Sequence, residues 1–324
     1  MSITKEIKNL LKTEFSEFDL VFKNAFKSDV ALLDFILKYL YSQKGKQIRP
    51  MFVMLSAHVC GGITPATYRA ASLIELLHTA TLIHDDVVDD SNERRGYFSL
   101  NALWKNKISV LAGDFLLSKG LLLSMKHKDY ELLEIVSEAT REMSEGELLQ
   151  IEKARRLDIT EEVYFEIIRK KTASLIASCC AVGAASANAS SDFVEKMRLF
   201  GEKVGLAFQI KDDILDFKKA GDIGKPSGID LKEQKLTLPV IYMLQNMGTL
   251  EKRNVKSVIK NHSNNPEQVK KIIDLVNESG GIEYAVKHMN RLLREAKELI
   301  NGFDESAYKN ALINLVDYTI SREK

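Results

Sequence analysis

Apolar residues return at three- and four-residue spacing through almost the whole chain, in the stretches 2–27, 29–42, 47–60, 66–92, 100–127, 130–155, 159–187, 191–218 and 236–247, and the pattern continues through the last quarter. That period places apolar side chains on one face of an α-helix. Only five prolines and 17 glycines punctuate the chain, too few for many short strands joined by tight turns. An all-α fold is expected. The breaks at 42–50, 60–65, 93–99, 218–235, 261–268 and 278–281 read as loops between helices. No low-complexity tract or linker divides the chain, which predicts a single helical domain over 1–324 with a smaller C-terminal helical portion packed on it.

Hydrophobic residues at 45% and charged ones at 28% suffice to bury a core and exclude a disordered or collagen-like chain. With Lys+Arg 46 against Asp+Glu 45, no global field attracts nucleic acid or an anionic membrane, so no nucleic-acid partner is expected and any phosphate binding must be local. Cys60, Cys179 and Cys180 have no CxxC spacing and read as reduced core residues. The stretch around 174–188 is read as the most apolar, but Ser174, Ser178, Ser186 and Asn188 interrupt it, so no transmembrane segment is expected there. The N-terminal MSITKEIKNLLKTEF reads as an amphipathic helix rather than a signal peptide, and the expected location is cytoplasmic.

Two places are more specific. HDDVVDD (84–90) and IKDDILDF (210–217) each carry Asp-Asp-x-x-Asp at the C-terminal end of an apolar helix, and together they hold seven of the 19 aspartates. On a helix Asp85 and Asp89 share a face, as do Asp86 with Asp90 and Asp212 with Asp216, and like charges at that spacing repel. A helix C-terminus is also the wrong end of the macrodipole for a carboxylate. A hard divalent cation such as Mg²⁺ removes both objections, because it takes one or two carboxylates and completes its shell with water and substrate phosphate.

An anionic substrate calls for cations, and basic residues stand in the loops that follow these helices. Lys46 and Arg49 lie in GKQIRP, Arg94 and Arg95 in ERRG, and Lys225 and Lys235 in GKPSGIDLKEQK. Arg grips phosphate oxygens with a planar fork, whereas Lys is a mobile point charge. Lys171 precedes a small-residue apolar run, and Thr172 beside it can either bond back to its own helix or present its hydroxyl to a ligand. His78 lies two turns before Asp85 on nearly the same face, as a donor to a second anionic group or as a core histidine.

The segments GKQIRP, LIHDDVVDDSNERRG, KTASL, FQIKDDILD and GKPSGIDLKEQKLTLP, in this order over about residues 40–245, resemble the trans-isoprenyl diphosphate synthases, and within them the polyprenyl diphosphate synthases of quinone side chains. The resemblance implies an isoprenoid synthase fold, helices around a deep central cavity with the two Asp motifs facing each other across its mouth, as a homodimer. It implies that Asp85, Asp86, Asp89, Asp212, Asp213 and Asp216 hold Mg²⁺, about three ions per site. It implies that Arg94, Lys171, Thr172, Gln209 and Lys225 contact an allylic diphosphate, and that Lys46, Arg49, His78 and Arg95 hold isopentenyl diphosphate. Lys235 belongs to the last motif, where Gln234 stands in place of the family's usual Gly.

The implied reaction is ionisation of the allylic diphosphate followed by attack of the homoallylic double bond, which lengthens the chain by five carbons. In this family bulky aromatics just before the first Asp motif end growth early. Here Thr81 and Ala80 are small, with Leu77 below them, so a product of about C30–C40 is expected, an isoprene unit spanning about one helical turn. The alternatives are a short-chain synthase making farnesyl or geranylgeranyl diphosphate and a non-catalytic subunit of a heteromeric synthase. A terpene cyclase does not need the second Asp cluster with Lys46 and Arg49, and a metal-stabilised scaffold does not need the basic loops.

Overall fold

The computed structural model describes residues 3–94, 96–217 and 228–321, so that Arg95 and Lys225 lie outside the described residues. Its helices are α1 Ile3–Leu10, α2 Lys12–Ala25, α3 Ala31–Ser42, α4 Ile48–Val59, α5 Pro65–Val88, α6 Leu100–His127, α7 Tyr130–Arg156, α8 Glu161–Ile168, α9 Ser174–Ser186, α10 Ser191–Leu215, α11 Ile229–Lys232, α12 Leu238–Gln245, α13 Thr249–Asn261, α14 Pro266–Glu278, α15 Gly281–Ile300 and α16 Ala307–Ser321. They gather into two compact units, one of residues 1–137, 178–198 and 303–315, the other of 138–177, 199–302 and 316–324.

The first unit is built around α5. Its start is written in the sequence: Thr64 and Thr67 form a reciprocal capping box, Pro65 occupies the first turn, and the Thr64 hydroxyl donates to the Ser186 carbonyl at 2.8 Å. Apolar side chains cover most of α5 and α4, because both are core helices. The rings of Phe18 and Phe22 on α2 stack with centroids 5.3 Å apart, Phe26 just beyond the helix packs tilted on Phe22 at 4.8 Å, and Tyr41 of α3 closes on Phe26 at 5.6 Å.

Along α6 two glycines let the backbone approach α5. A Cβ at Gly113 would lie 2.2 Å from Nε2 of His84, and one at Gly120 would lie 3.1 Å from Cδ1 of Leu73. Among the described residues α6 is the one helix long and apolar enough to cross a membrane, with a mean hydropathy of 1.5 over its most apolar window. The sequence reading raised that question at 174–188 and overlooked it here. The buried Ala112, Gly113, Leu116, Gly120 and Ser124 are what close packing against another helix requires.

In the second unit α12, buried along its length, is enclosed with α8, α10, α14 and α15 in one apolar cluster that includes Tyr164, Ile210, Leu238, Ile241, Ile272, Ala285 and Leu292.

The chain departs from the expected elements in places that matter for the site. The stretch 2–27 is broken at Leu11, and 93–99 is a two-stranded hairpin, β1 Glu93–Arg94 and β2 Tyr97–Phe98, with Glu93 opposite Phe98. The helix expected to reach 92 stops at Val88, so Asp90 does not share a helical face with Asp86. Its backbone is left-handed at φ 48, and its carboxylate accepts from Asn101 Nδ2 at 3.1 Å. The stretch 159–187 is interrupted by a π-helical turn, Arg169–Ala173.

Candidate active site

The first Asp cluster occupies the last turn and cap of α5. Asp86 is buried at 4% exposure, while Asp85 and Asp89 are exposed, and the Asp89 amide donates to the Asp85 carbonyl at 2.8 Å. The following hairpin is pinned at its base, where the Ser99 hydroxyl donates to the Ser91 carbonyl at 2.6 Å and accepts from the Ala102 amide at 3.0 Å, which caps α6. This fixes Arg94, whose Nε donates to Oδ1 of Asp86 at 2.7 Å. A cation expected on a diphosphate thus pairs with a carboxylate of the first cluster.

Asp86 and Arg94 line a cavity with His78, Thr79 and Leu82 of the same face of α5, together with Phe22, Tyr41 and Lys44. Of the four residues tied to isopentenyl diphosphate, His78 lines this cavity, Lys46 stands between its lining residues Gly45 and Gln47, neither Arg49 nor its neighbours Ile48 and Pro50 line it, and Arg95 is outside the described residues. Lys44, Tyr41 and Glu75 line it too, and the motif reading had not named them. His84, left without a role, sits over Gly113 with Nε2 3.3 Å from the Val110 carbonyl and 3.5 Å from Asp114.

Below Asp85 the helix presents Thr81, His78 and Ile74 closest to the same direction, at about 100° per residue. Thr81 is half-buried and its hydroxyl returns to the His78 carbonyl at 2.9 Å. Ala80 and Leu77, at 2% and 4% exposure, fall on or beside the stripe that includes Leu73 and His84 and packs on α6. Thr81 is therefore the chain-length candidate best aligned with Asp85.

The second cluster ends α10, with Asp212 and Asp213 in the last turn and Asp216 just beyond. Asp213 is 4% exposed, and donors hold both of its oxygens: Tyr164 O–H donates to Oδ2 at 2.6 Å and Gln209 Nε2 to Oδ1 at 2.9 Å. Gln209 Oε1 in turn accepts from the Thr172 hydroxyl at 2.7 Å. Asp216 accepts from the amides of Ile229 and Asp230 at 2.9 and 3.1 Å, which caps α11.

Lys171 and Thr172 sit on the π turn, which a helical pattern in the sequence does not reveal. Lys171 pairs with Glu147 and donates to Gln150 Oε1 at 3.5 Å. Two glycines admit the turn: a Cβ on Gly146 would lie 2.8 Å from the Lys171 amide nitrogen, and one on Gly205 would lie 2.5 Å from Ala173 Cα. A widened turn at such a place is common where helices carry functional side chains.

Lys235 is positioned by the end of α11. The Gln234 amide donates to the Leu231 carbonyl at 3.1 Å and the Lys235 amide to the Asp230 carbonyl at 2.8 Å, a Schellman arrangement that puts Gln234 at φ 58. This left-handed position is where the family's usual Gly would stand. The Gln keeps the turn, and Lys235 lines one cavity with Lys171, Thr172, Gln209, Asp213 and Asp230, while also pairing with Glu233.

Asp230 was not anticipated from the motifs. Burial, then the Asp216 charge, pushes its carboxyl up to about 6, and burial, then the Asp230 charge, pushes Asp213 up to about 7. Burial likewise raises Asp216, against the backbone amides that lower it. These carboxylates carry more negative charge than their surroundings compensate. Among the described residues no three His, Cys, Asp or Glu side chains converge as a ready-made cage. Mg²⁺ needs none, since it keeps water and phosphate in its shell, and an all-oxygen donor set with uncompensated charge fits it.

The Polyprenyl synthetase family model matches residues 30–276. The chain is 36% identical over 311 residues to the all-trans-nonaprenyl-diphosphate synthase (geranyl-diphosphate specific) of Rhodobacter capsulatus, covering 95% of each. It superposes on the crystal structure of a decaprenyl diphosphate synthase from Rhodobacter capsulatus with a TM-score of 0.92 at 31% identity, covering 99% of both chains. It superposes on a polyprenyl synthase from Caulobacter crescentus CB15, complexed with calcium and isoprenyl diphosphate, with a TM-score of 0.88 at 30% identity, covering 99% of this chain and 98% of that one. The all-α isoprenoid synthase fold and the trans-isoprenyl diphosphate synthase resemblance are both borne out, and the chain belongs to the polyprenyl synthetase family of prenyltransferases.

Proposed function

We propose that the chain condenses isopentenyl diphosphate with an allylic diphosphate to make an all-trans polyprenyl diphosphate of about C30–C40, in steps of one isoprene unit per helical turn of tunnel. The observation that carries the reading is the second cluster, where Asp213 and Asp230 share a cavity with Lys171, Thr172, Gln209 and Lys235. Acidic groups with uncompensated charge beside cations and a hydroxyl suit a metal-diphosphate pair.

Asp85, Asp86 and Asp89, with Asp212, Asp213 and Asp216, would hold Mg²⁺, about three ions as in the sequence reading. Bound there, the metal supplies Lewis-acid stabilisation of the diphosphate. Lys171, the Thr172 hydroxyl, Lys235 and Arg94 hold the allylic diphosphate and stabilise charge as the C–O bond ionises. The Thr172 hydroxyl turns its one proton from Gln209 Oε1 to the diphosphate, and Gln209 and Lys225 join this set by their motifs. His78, Lys46, Arg49 and Arg95 hold isopentenyl diphosphate, so that its double bond meets the allylic cation at short range. The departing diphosphate accepts the proton whose loss forms the new allylic double bond.

The small Thr81 in line with Asp85 supports the long product. The exposed Val110, Leu111, Leu121, Leu122 and Met125 on α6 support a homodimer. The free Cys60, Cys179 and Cys180 support a reducing, cytoplasmic location. The unit boundaries at 137, 177, 198 and 315 fall inside α7, α9, α10 and α16, which supports one domain over 1–324. The buried small residues of α6 favour a core helix over a membrane span.

The test is incubation with labelled isopentenyl diphosphate, farnesyl diphosphate and Mg²⁺, then dephosphorylation and sizing of the alcohols. A ladder ending well beyond twenty carbons is expected. Products that stop at fifteen or twenty carbons with every primer overturn the long-chain reading, and no elongation at all overturns the catalytic one.

A further inference from the structure

Tyr164 lies outside every motif that marked the site. It is buried at 4% exposure on α8, two turns before Lys171, and α8 runs directly into the π turn that carries Lys171 and Thr172. Its hydroxyl reaches across to α10 and donates to Oδ2 of Asp213 at 2.6 Å, the length of a charge-assisted bond. With Gln209 on Oδ1, the Asp213 carboxylate is gripped from both sides. Each carboxylate oxygen has two lone pairs, so a cation can still bind to either.

α8 is itself held rigidly. At its start the Tyr284 hydroxyl donates to both oxygens of Glu161 at 3.0 and 2.9 Å, and the Phe165 ring packs on Tyr164 and His288 at 5.4 and 5.7 Å. Tyr164 is thus a fixed donor, and the carboxylate adapts to it. We propose that Tyr164 is a positioning residue of the second cluster, whose hydroxyl holds Asp213 in the rotamer from which it binds the divalent cation. The proposal rests on the metal-diphosphate reading above. Through α8 the same rigid element that presents Lys171 and Thr172 also sets the Asp213 carboxylate, so that phosphate and metal contacts share one frame.

Tyr164→Phe keeps the ring and removes the bond. Mn²⁺ binding is followed by the electron paramagnetic resonance of the free ion, on wild type, Tyr164→Phe and Tyr284→Phe, and the rate is measured against Mg²⁺ concentration. For Tyr164→Phe the affinity falls about 10-fold, in the range seen when a partner of a metal ligand is removed. The Mg²⁺ concentration for half-maximal rate rises in step, while kcat at saturating Mg²⁺ stays within about threefold because the ligands themselves are intact. Tyr284→Phe, which loosens the start of α8 but keeps the ring stacked on Tyr242 and leaves the Tyr164–Asp213 bond in place, lowers Mn²⁺ affinity less than Tyr164→Phe does.

Overlaying Mn²⁺ curves for wild type and Tyr164→Phe overturn the proposal, as does a loss of kcat and melting temperature with unchanged affinity. Wild type that binds no Mn²⁺ overturns the metal reading and this inference together. Combination with Asp213→Asn gives a second test. If Tyr164 acts through Asp213, the two losses of affinity are less than additive, and strict additivity refutes it.

Discussion

Gly205→Ala is the sharpest probe of how the second cluster is positioned. The added methyl would lie 2.5 Å from Ala173 Cα and 2.9 Å from its Cβ, where carbon atoms ordinarily meet at about 3.5–4.0 Å. Backbone cannot swing aside as a long side chain can, so α10 and the π turn must separate locally by about 1 Å. Gln209 lies one turn further along the same face of α10, and its 2.7 Å bond from the Thr172 hydroxyl spans that gap. Stretched by that amount it passes the limit of a hydrogen bond. Overpacking costs about 1–3 kcal/mol and Ala returns about 1 kcal/mol of helix propensity. The net loss is therefore at most about 2 kcal/mol, and the melting temperature falls by a few degrees, roughly 2–4 °C per kcal/mol. Activity falls further, because a misplacement of about 1 Å can cost about 100-fold. Steady-state kcat and a thermal melt are compared with Gly302→Ala, where a methyl meets nothing within 4 Å. A Gly205→Ala enzyme with kcat within twofold of wild type, or one that loses activity only by unfolding, refutes the reasoning.

Thr81→Phe, in line with Asp85, shortens the product ladder in the sizing assay and leaves the first condensation nearly intact, whereas Ala80→Phe overpacks the α5–α6 contact by about 1–3 kcal/mol and chiefly lowers the melting temperature. An unchanged ladder in Thr81→Phe removes Thr81 from the tunnel. Gln234→Gly relieves a left-handed non-glycine residue worth roughly 1–2 kcal/mol, less the flexibility that Gly gives the unfolded chain, so thermal melts show a rise of a few degrees or less. A fall would show that the side-chain bond from Gln234 Nε2 to the Lys260 carbonyl at 3.3 Å outweighs the strain. For pH, Asp213 at about 7 and Asp230 at about 6 have folded values raised above the unfolded range of about 3.9. Their contribution is full below pH about 4 and is lost as pH rises through 6 and 7. In EDTA the melting temperature therefore drops from pH 5.5 to 8, Mg²⁺ restores it at pH 8, and Asp213→Asn shrinks the drop. An unchanged drop in Asp213→Asn refutes the assignment.

What the sequence made legible was whatever depends on local spacing. The helical period located most helices to within a few residues, and the two Asp clusters fell at helix ends as expected. What stayed hidden depends on contacts distant in the chain. The π turn is invisible because no Gly or Pro in Arg169–Ala173 marks a break between the apolar runs on either side, and its widening makes sense only with Gly146 and Gly205 drawn against it. Tyr164 and Asp230 are ordinary residues in the sequence, and they become part of the site only when Asp213 and Asp216 are folded beside them. Asp90 misled for the opposite reason: it completes a helical pattern that the backbone abandons at Asp89. At Gln234 an apparent departure from the family pattern is explained by the φ of 58, since the position demands a conformation and not a particular side chain.

Cations of the site already have acidic partners. Arg94 is paired with Asp86, Lys171 with Glu147 and Lys235 with Glu233, so these three cations are engaged before any ligand arrives. A diphosphate therefore exchanges partners with carboxylates and does not meet bare charge. Such an exchange strands the displaced carboxylates unless a divalent cation takes them up, above all Asp86, which is buried and already at the first cluster. Metal and diphosphate should accordingly bind as a linked pair, each raising the affinity for the other by the same factor. Mn²⁺ binding that is indifferent to added inorganic diphosphate, once the diphosphate's own chelation is subtracted, would show that the ion pairs are permanent structure, with no part in the exchange.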